Sequence, residues 1–117
     1  MTHGEKKITK IIEELTLFFF SVGADKIQSG IEKNGLDIKI TMSANFALEY
    51  KGNLDYLEVY LNEPKNEAME DYYWELAGSG DPGESSQLLL VGMMIDSAEI
   101  TIGEKEVNLV LHKKLEE

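Results

Sequence analysis

The chain has 117 residues, 43% of them apolar, which is enough for one hydrophobic core and a single domain spanning residues 1–117. Its 22 acidic residues outnumber 11 basic ones, and the formal net charge of -11 argues against nucleic acid or an anionic membrane as a partner. All basic residues are lysine and cysteine is absent, so arginine fingers, thiolate chemistry and disulfides are excluded.

The sequence also bears on location and metals. No cationic leader precedes an apolar core, and no apolar run is long enough to span a bilayer, so we expect a cytoplasmic protein. His3 lies near a terminus and His112 near a strand end, and we expect no metal site.

The first predicted element is a helix over residues 5–22, because its apolar positions repeat at the spacing of one helical face. These positions are Ile8, Ile11, Ile12, Leu15, Phe18, Phe19 and Val22. Leu17 and Phe20 fall outside that face. They indicate either an interface with a second packing partner or cover by a loop of the same domain.

The next elements are predicted from alternation. Residues 25–35 form a polar connection with room for a helical turn, and residues 36–42 alternate as a strand with one buried face. Residues 46–50 and 57–61 alternate similarly around a turn at 51–53. They predict a long antiparallel hairpin, with an irregularity at 43–45.

The last part of the chain combines helices, a glycine loop and a hairpin. Pro64 starts a short helix that extends to Leu76, and Gly78, Gly80 and Gly83 lie in the loop that follows. A helix then begins near Ser85 or Ser86, and strands over 98–102 and 107–111 form the final hairpin. These elements predict an α+β two-layer sandwich, with a mostly antiparallel sheet and helices on one face.

Three segments resemble motifs of the GHKL superfamily, the ATP-binding fold of histidine kinases, gyrases and anti-sigma-factor serine kinases. Glu14 to Gly23 occupies the place of the family motif Glu-Leu-x-x-Asn-Ala-x-x-His-Gly, Asn62-Glu63-Pro64 that of Asp-x-Gly, and Gly80 to Asp96 that of the last glycine-containing helix. The resemblance is greatest to the anti-sigma-factor kinases and implies a histidine-kinase ATPase-like fold, shortened at its N-terminus. It covers essentially the whole chain.

The resemblance implies roles for individual residues. Glu14 matches the glutamate that orients or deprotonates a nucleophile, Asn62 takes the place of the adenine-binding aspartate, and Gly78, Gly80 and Gly83 could cradle phosphates. Phe18 replaces the asparagine that holds Mg²⁺, and a phenyl ring offers no oxygen to a metal.

Three functional hypotheses follow. The first is a degenerate, non-catalytic GHKL-like module that needs no cofactor and binds a protein partner or a second copy through Leu17 and Phe20. The second is an active serine kinase or ATPase that binds ATP with Mg²⁺ through Asn62 and the glycine loop, with Glu14 as general base. The third is an unrelated small α+β protein with a coincidental motif match.

Overall fold

A computed structural model describes residues 3–62 and 84–115. Within these ranges the protein is α+β, with a four-stranded antiparallel sheet and three α-helices. The helices are α1 (His3–Ser21), α2 (Asp55–Leu61) and α3 (Glu84–Met94). The strands are β1 (Ile27–Asn34), β2 (Asp37–Asn45), β3 (Ser97–Ile102) and β4 (Glu106–Lys114).

The sheet has the strand order β1-β2-β4-β3, and all neighbours are antiparallel. β2 and β4 form its centre and each buries every second residue, as expected for a sheet that is covered on one face. The buried residues are Ile38, Ile40, Met42 and Ala44 on β2, and Val107, Leu109 and Leu111 on β4. The other face is polar and solvent-exposed along β2, where Lys39 and Thr41 lie.

The helices form the second layer. α3 contacts both α1 and α2, and its Leu88, Leu90, Val91 and Met94 are buried. α1 contributes Ile8, Ile11, Leu15, Phe18 and Phe19 to the same core. The predicted two-layer sandwich is therefore confirmed.

Several predicted elements agree with the structure. The N-terminal helix, the strand after residue 36, the last helix and the final hairpin are all present. α1 ends where Gly23 adopts a φ of 85°, a left-handed conformation that favours glycine. Just beyond the end of β2, the Ala47 N–H donates to the Val22 carbonyl at 2.9 Å and ties this end of α1 to the sheet.

Two predictions between residues 25 and 61 were wrong. Residues 27–34 are strand β1 rather than a polar connection, and Gly35, with a φ of 66°, lies in the tight turn to β2. The predicted hairpin over residues 46–61 is a 3-10 helix (Leu48–Leu54) followed directly by α2. Leu54, Leu57 and Leu61 are buried at helical spacing, which explains why helical structure prevails here.

The first helix and the last strand meet at one end of the molecule. Leu115 packs against Gly4, so closely that a Cβ on this glycine would lie 2.8 Å from the Leu115 Cδ2. The Leu115 N–H also donates to the Leu36 carbonyl in the β1–β2 turn at 2.7 Å. The beginning of α1, the β1–β2 turn and the end of β4 are therefore neighbours.

Candidate functional site

The residues singled out in the first motif all lie on α1, but they do not share one surface. Glu14 and Phe18 are buried, with 4% and 5% of their surface exposed, whereas Leu17 and Phe20 are 56% and 61% exposed. At 100° per residue, positions 14 and 18 lie on the core side of the helix, and positions 17 and 20 lie on its outer side. α1 therefore presents two separate candidate sites.

Glu14 is the buried acidic residue of the described core. Its Oε1 accepts from the Lys10 Nζ at 2.8 Å, across one helical turn, and Glu13 approaches the same ammonium at 3.7 Å. The hydrogen bond to Glu14 is the main cause that raises the pKa of Lys10 above its ordinary value of 10.5, while partial burial opposes the rise. The pair keeps a carboxylate in a place from which water is largely excluded.

The sequence did not reveal this arrangement. A glutamate on a helix flanked by lysines is usually solvated, and a lysine four residues earlier is a common pattern on exposed helix faces. The available signal was the position of Glu14 next to Leu15 and Phe18, on the border of the apolar stripe. Lys10 is the residue that sequence reasoning missed.

Phe18 belongs to the hydrophobic core. Its ring meets that of Phe19 edge to face, with 5.9 Å between the ring centroids and an interplanar angle of 63°. The side chain in the position of the family's metal ligand therefore packs against apolar neighbours. Among residues 3–62 and 84–115, no three histidine or acidic side chains are grouped to hold a metal ion.

Asn62 does not occupy the expected position. The resemblance placed it at the end of a strand, but it follows α2 as the C-terminal cap of that helix, and its N–H donates to the Glu58 carbonyl at 3.3 Å. The structure therefore does not bring Asn62 to a sheet edge. Gly78, Gly80 and Gly83, like the helix predicted from Pro64, lie outside the described residues.

Asn45 has a structural role at the end of β2. Its Oδ1 accepts from the N–H groups of Asp25 and Lys26, at 2.9 and 3.1 Å, and its Nδ2 donates to the Asp25 carboxylate. One amide thus fixes the connection between α1 and β1. The irregularity predicted at 43–45 was the only hint of this role in the sequence.

Leu17 and Phe20 form the second candidate site, defined here as the outer α1 surface. Neither residue belongs to the core cluster, and the described parts of the chain leave both more than half exposed. No described helix combines the length and apolarity needed to cross a bilayer. The surplus apolar surface predicted from the helical spacing is therefore present in the structure.

Comparison with known proteins finds no matching family model, and neither a curated protein nor a solved structure is significantly similar to the chain. The resemblance to GHKL proteins therefore rests on the sequence motifs alone.

Proposed function

We propose that this chain is a degenerate GHKL-like domain that has lost catalysis and acts as a protein-binding regulatory module. The observation that carries the proposal is the exposure of Leu17 and Phe20 on a helix whose other large apolar side chains are mostly buried. Aromatic and aliphatic side chains at the centre of an interface contribute much of its binding energy. The outer α1 surface would bind either a second copy or a different protein.

The position of Phe18 supports the loss of catalysis. Its ring is buried beside Phe19, and replacing it with a metal-binding asparagine would remove apolar contacts from the core. The absence of arginine is consistent with this, because no bidentate phosphate clamp can form. Cysteine is absent too, which is compatible with a cytoplasmic location.

The test compares the wild-type chain with a Leu17→Glu, Phe20→Glu variant. We expect the variant to fold normally but to lose its complex, either as a shift from dimer to monomer in sedimentation or as loss of a partner captured from an extract of the source cells. Leu48→Glu is the matched control, since Leu48 is a comparably exposed apolar residue on the 3-10 helix. Identical complexes with all three proteins would refute the proposed surface.

The burial of Glu14 favours the alternative of an active kinase or ATPase. Glu14 is buried rather than solvated, and it occupies the position that the resemblance assigns to the general base. This alternative requires Mg²⁺-ATP binding and transfer of the γ-phosphate to a serine of a partner or to water. Isothermal titration with Mg²⁺-ATP decides between the two proposals: tight binding together with phosphate transfer that Glu14→Gln abolishes would establish the alternative.

A further inference from the structure

Among the described strands, β1 lies at one edge of the sheet. It pairs with β2 on one side, and the described parts of the chain contain no strand on the other. Seven of its eight residues are exposed, including Ile31 at 54%. Because an edge of this length presents a row of unpaired N–H and C=O groups, it is a template for another strand.

The hairpin geometry shows which backbone groups of β1 point away from β2. β1 and β2 close with Asn34 opposite Asp37 across the two-residue turn at 35–36, and such turns close on a hydrogen-bonded pair. The even-numbered residues of β1 therefore bond β2, and the odd-numbered ones direct their backbone groups to the open edge. Ser29 and Ile31 are among the latter.

The sequence of this edge is self-complementary in one antiparallel register. If Ser29 lies opposite the Ser29 of a second copy, Ile27 faces the partner's Ile31 and Lys26 faces the partner's Glu32. Each of these pairs occurs twice about the two-fold axis. Both isoleucines lie on the helix side of the sheet, as their positions opposite Ala44 and Ile40 of β2 show.

Charge supports the same register. Asp25, Lys26, Glu32 and Lys33 sum to zero, so the edge is locally neutral in a chain of net charge -11. The register also brings Asp25 near the partner's Lys33, which already contacts Glu5 of its own α1 at 3.3 Å. Neither neighbouring register pairs opposite charges. A register centred on residue 30 places Ile27 opposite Lys33, and one centred on residue 31 places Glu32 opposite Gly30.

We infer that two copies of this chain associate through β1 in the register centred on Ser29, joining two four-stranded sheets into one of eight strands. Cross-strand isoleucine and lysine–glutamate pairs supply specificity, and the outward backbone groups supply hydrogen bonds. The interface is isologous, as expected of a two-fold dimer. This β1 interface is separate from the surface of the proposed function, because it uses no residue of the outer α1 surface.

Charge reversal tests the register. Lys26→Glu and Glu32→Lys each place two like-charged pairs across the axis, and each should weaken dimerisation about tenfold or more in sedimentation equilibrium. An equimolar mixture of the two variants should restore the dimer, because both pairs of the heterodimer then join opposite charges. The double variant Lys26→Glu, Glu32→Lys should also dimerise like the wild type, at about twice the 13.2 kDa monomer mass.

Matched controls separate the register from net charge and from folding. Glu99→Lys and Lys105→Glu change the charge equally on β3 and in the β3–β4 turn, away from β1, and should leave the dimer intact. All substituted side chains are exposed, and circular dichroism verifies that each variant folds. A wild type that is still monomeric at about 200 µM, or a mixture of the two variants that fails to associate, overturns the inference. So does dissociation by Leu17→Glu, Phe20→Glu while both single charge variants stay dimeric.

Discussion

Lys10 stabilises the buried carboxylate of Glu14. Taking a charged carboxylate out of water is costly unless a partner compensates, and the Lys10 ammonium at 2.8 Å is the partner that the structure shows. Three quarters of the Lys10 side chain is shielded as well, so the pair is only partly screened by solvent. Removing the lysine alone should therefore cost more than removing an exposed lysine.

We expect Lys10→Met to lower the free energy of unfolding at pH 7 by about 2 kcal/mol, the scale for a buried charged group left without its partner. Urea denaturation measures the change. Lys6→Met is the control, because Lys6 is exposed on the same helix and should change stability by less than about 0.5 kcal/mol. Equal effects of the two substitutions would contradict the stabilising role of the pair.

The same pair predicts a pH dependence. The pKa of Lys10 is raised above 10.5 in the folded state, mainly by its hydrogen bond to Glu14, so the folded chain binds the proton of Lys10 more tightly than the unfolded chain does. Its contribution is fully present below the unfolded pKa and is lost as the pH rises through the folded pKa. The stability difference between wild type and Lys10→Met should stay constant from pH 7 to about 10 and shrink above about 10.5. A difference that shrinks below pH 9 would refute this.

Gly92 allows α3 to approach α2 closely. A Cβ at this position would overlap the carbonyl oxygen of Tyr60 and press on the Leu61 backbone. We expect Gly92→Ala to destabilise the fold by about 3 kcal/mol, because backbone cannot move aside as a side chain can. Thermal unfolding measures the effect. Gly52→Ala, at a position with open space around it, is the control and should be close to neutral.

The elements differ in how clearly the sequence predicted them, for physical reasons. α1 and β2 bury complete apolar stripes, so their periodicity specifies their structure. The only apolar residues of β1 are Ile27 and Ile31, because as an edge strand it buries little. β1 is a strand because it pairs with β2, and its own sequence pattern does not indicate a strand.

The segment from Leu48 to Leu61 shows how alternation can mislead. Leu57, Val59 and Leu61 alternate as a strand would, yet Val59 is 53% exposed while Leu54, Leu57 and Leu61 are buried. The helical spacing of those three leucines was visible in the sequence, and the β-branched Val59 favoured the wrong interpretation. Asn62 was misplaced for the same reason. Leu17 and Phe20 lie outside the apolar stripe of α1, as its periodicity indicated, and both are exposed in the described structure.

Replacing Val59 by alanine distinguishes the observed helix from the predicted strand, because the change in stability has opposite signs in the two structures. In an exposed helical position, Val59→Ala should stabilise the protein by up to about 0.5 kcal/mol, because alanine has the higher helix propensity. In a strand the same change would destabilise it. Val110→Ala is the comparison, because Val110 lies on strand β4, and it should lower stability by about 0.5 kcal/mol or more. Chemical denaturation of both variants measures the signs.

At the scale of the whole molecule, electrostatic self-repulsion acts against the folded state. The chain carries a net charge of -11, and its radius of gyration is 13.7 Å. Lys10 and Lys33 form ion pairs with acidic partners, but acidic residues outnumber lysines two to one. Compact chains of high net charge lose stability to this repulsion, which salt screens.

We therefore expect Tm to rise by several degrees between 10 and 300 mM NaCl, a range over which the screening length falls from about 30 Å to below 8 Å. Differential scanning fluorimetry measures the shift. Choline chloride at the same ionic strengths is the control, since screening does not depend on the cation. A fall in Tm with salt would mean that local ion pairs outweigh the overall repulsion.

The contact between Gly4 and Leu115 has a consequence for engineering. Because the start of α1 and the finish of β4 touch, a few glycines would bridge them, and the backbone could then be opened elsewhere to give a circular permutant. The turn at 103–105, which is exposed and joins two neighbouring strands, is the natural place for the new break. The same closeness would let the domain be inserted into a surface loop of a carrier protein without forcing that loop apart.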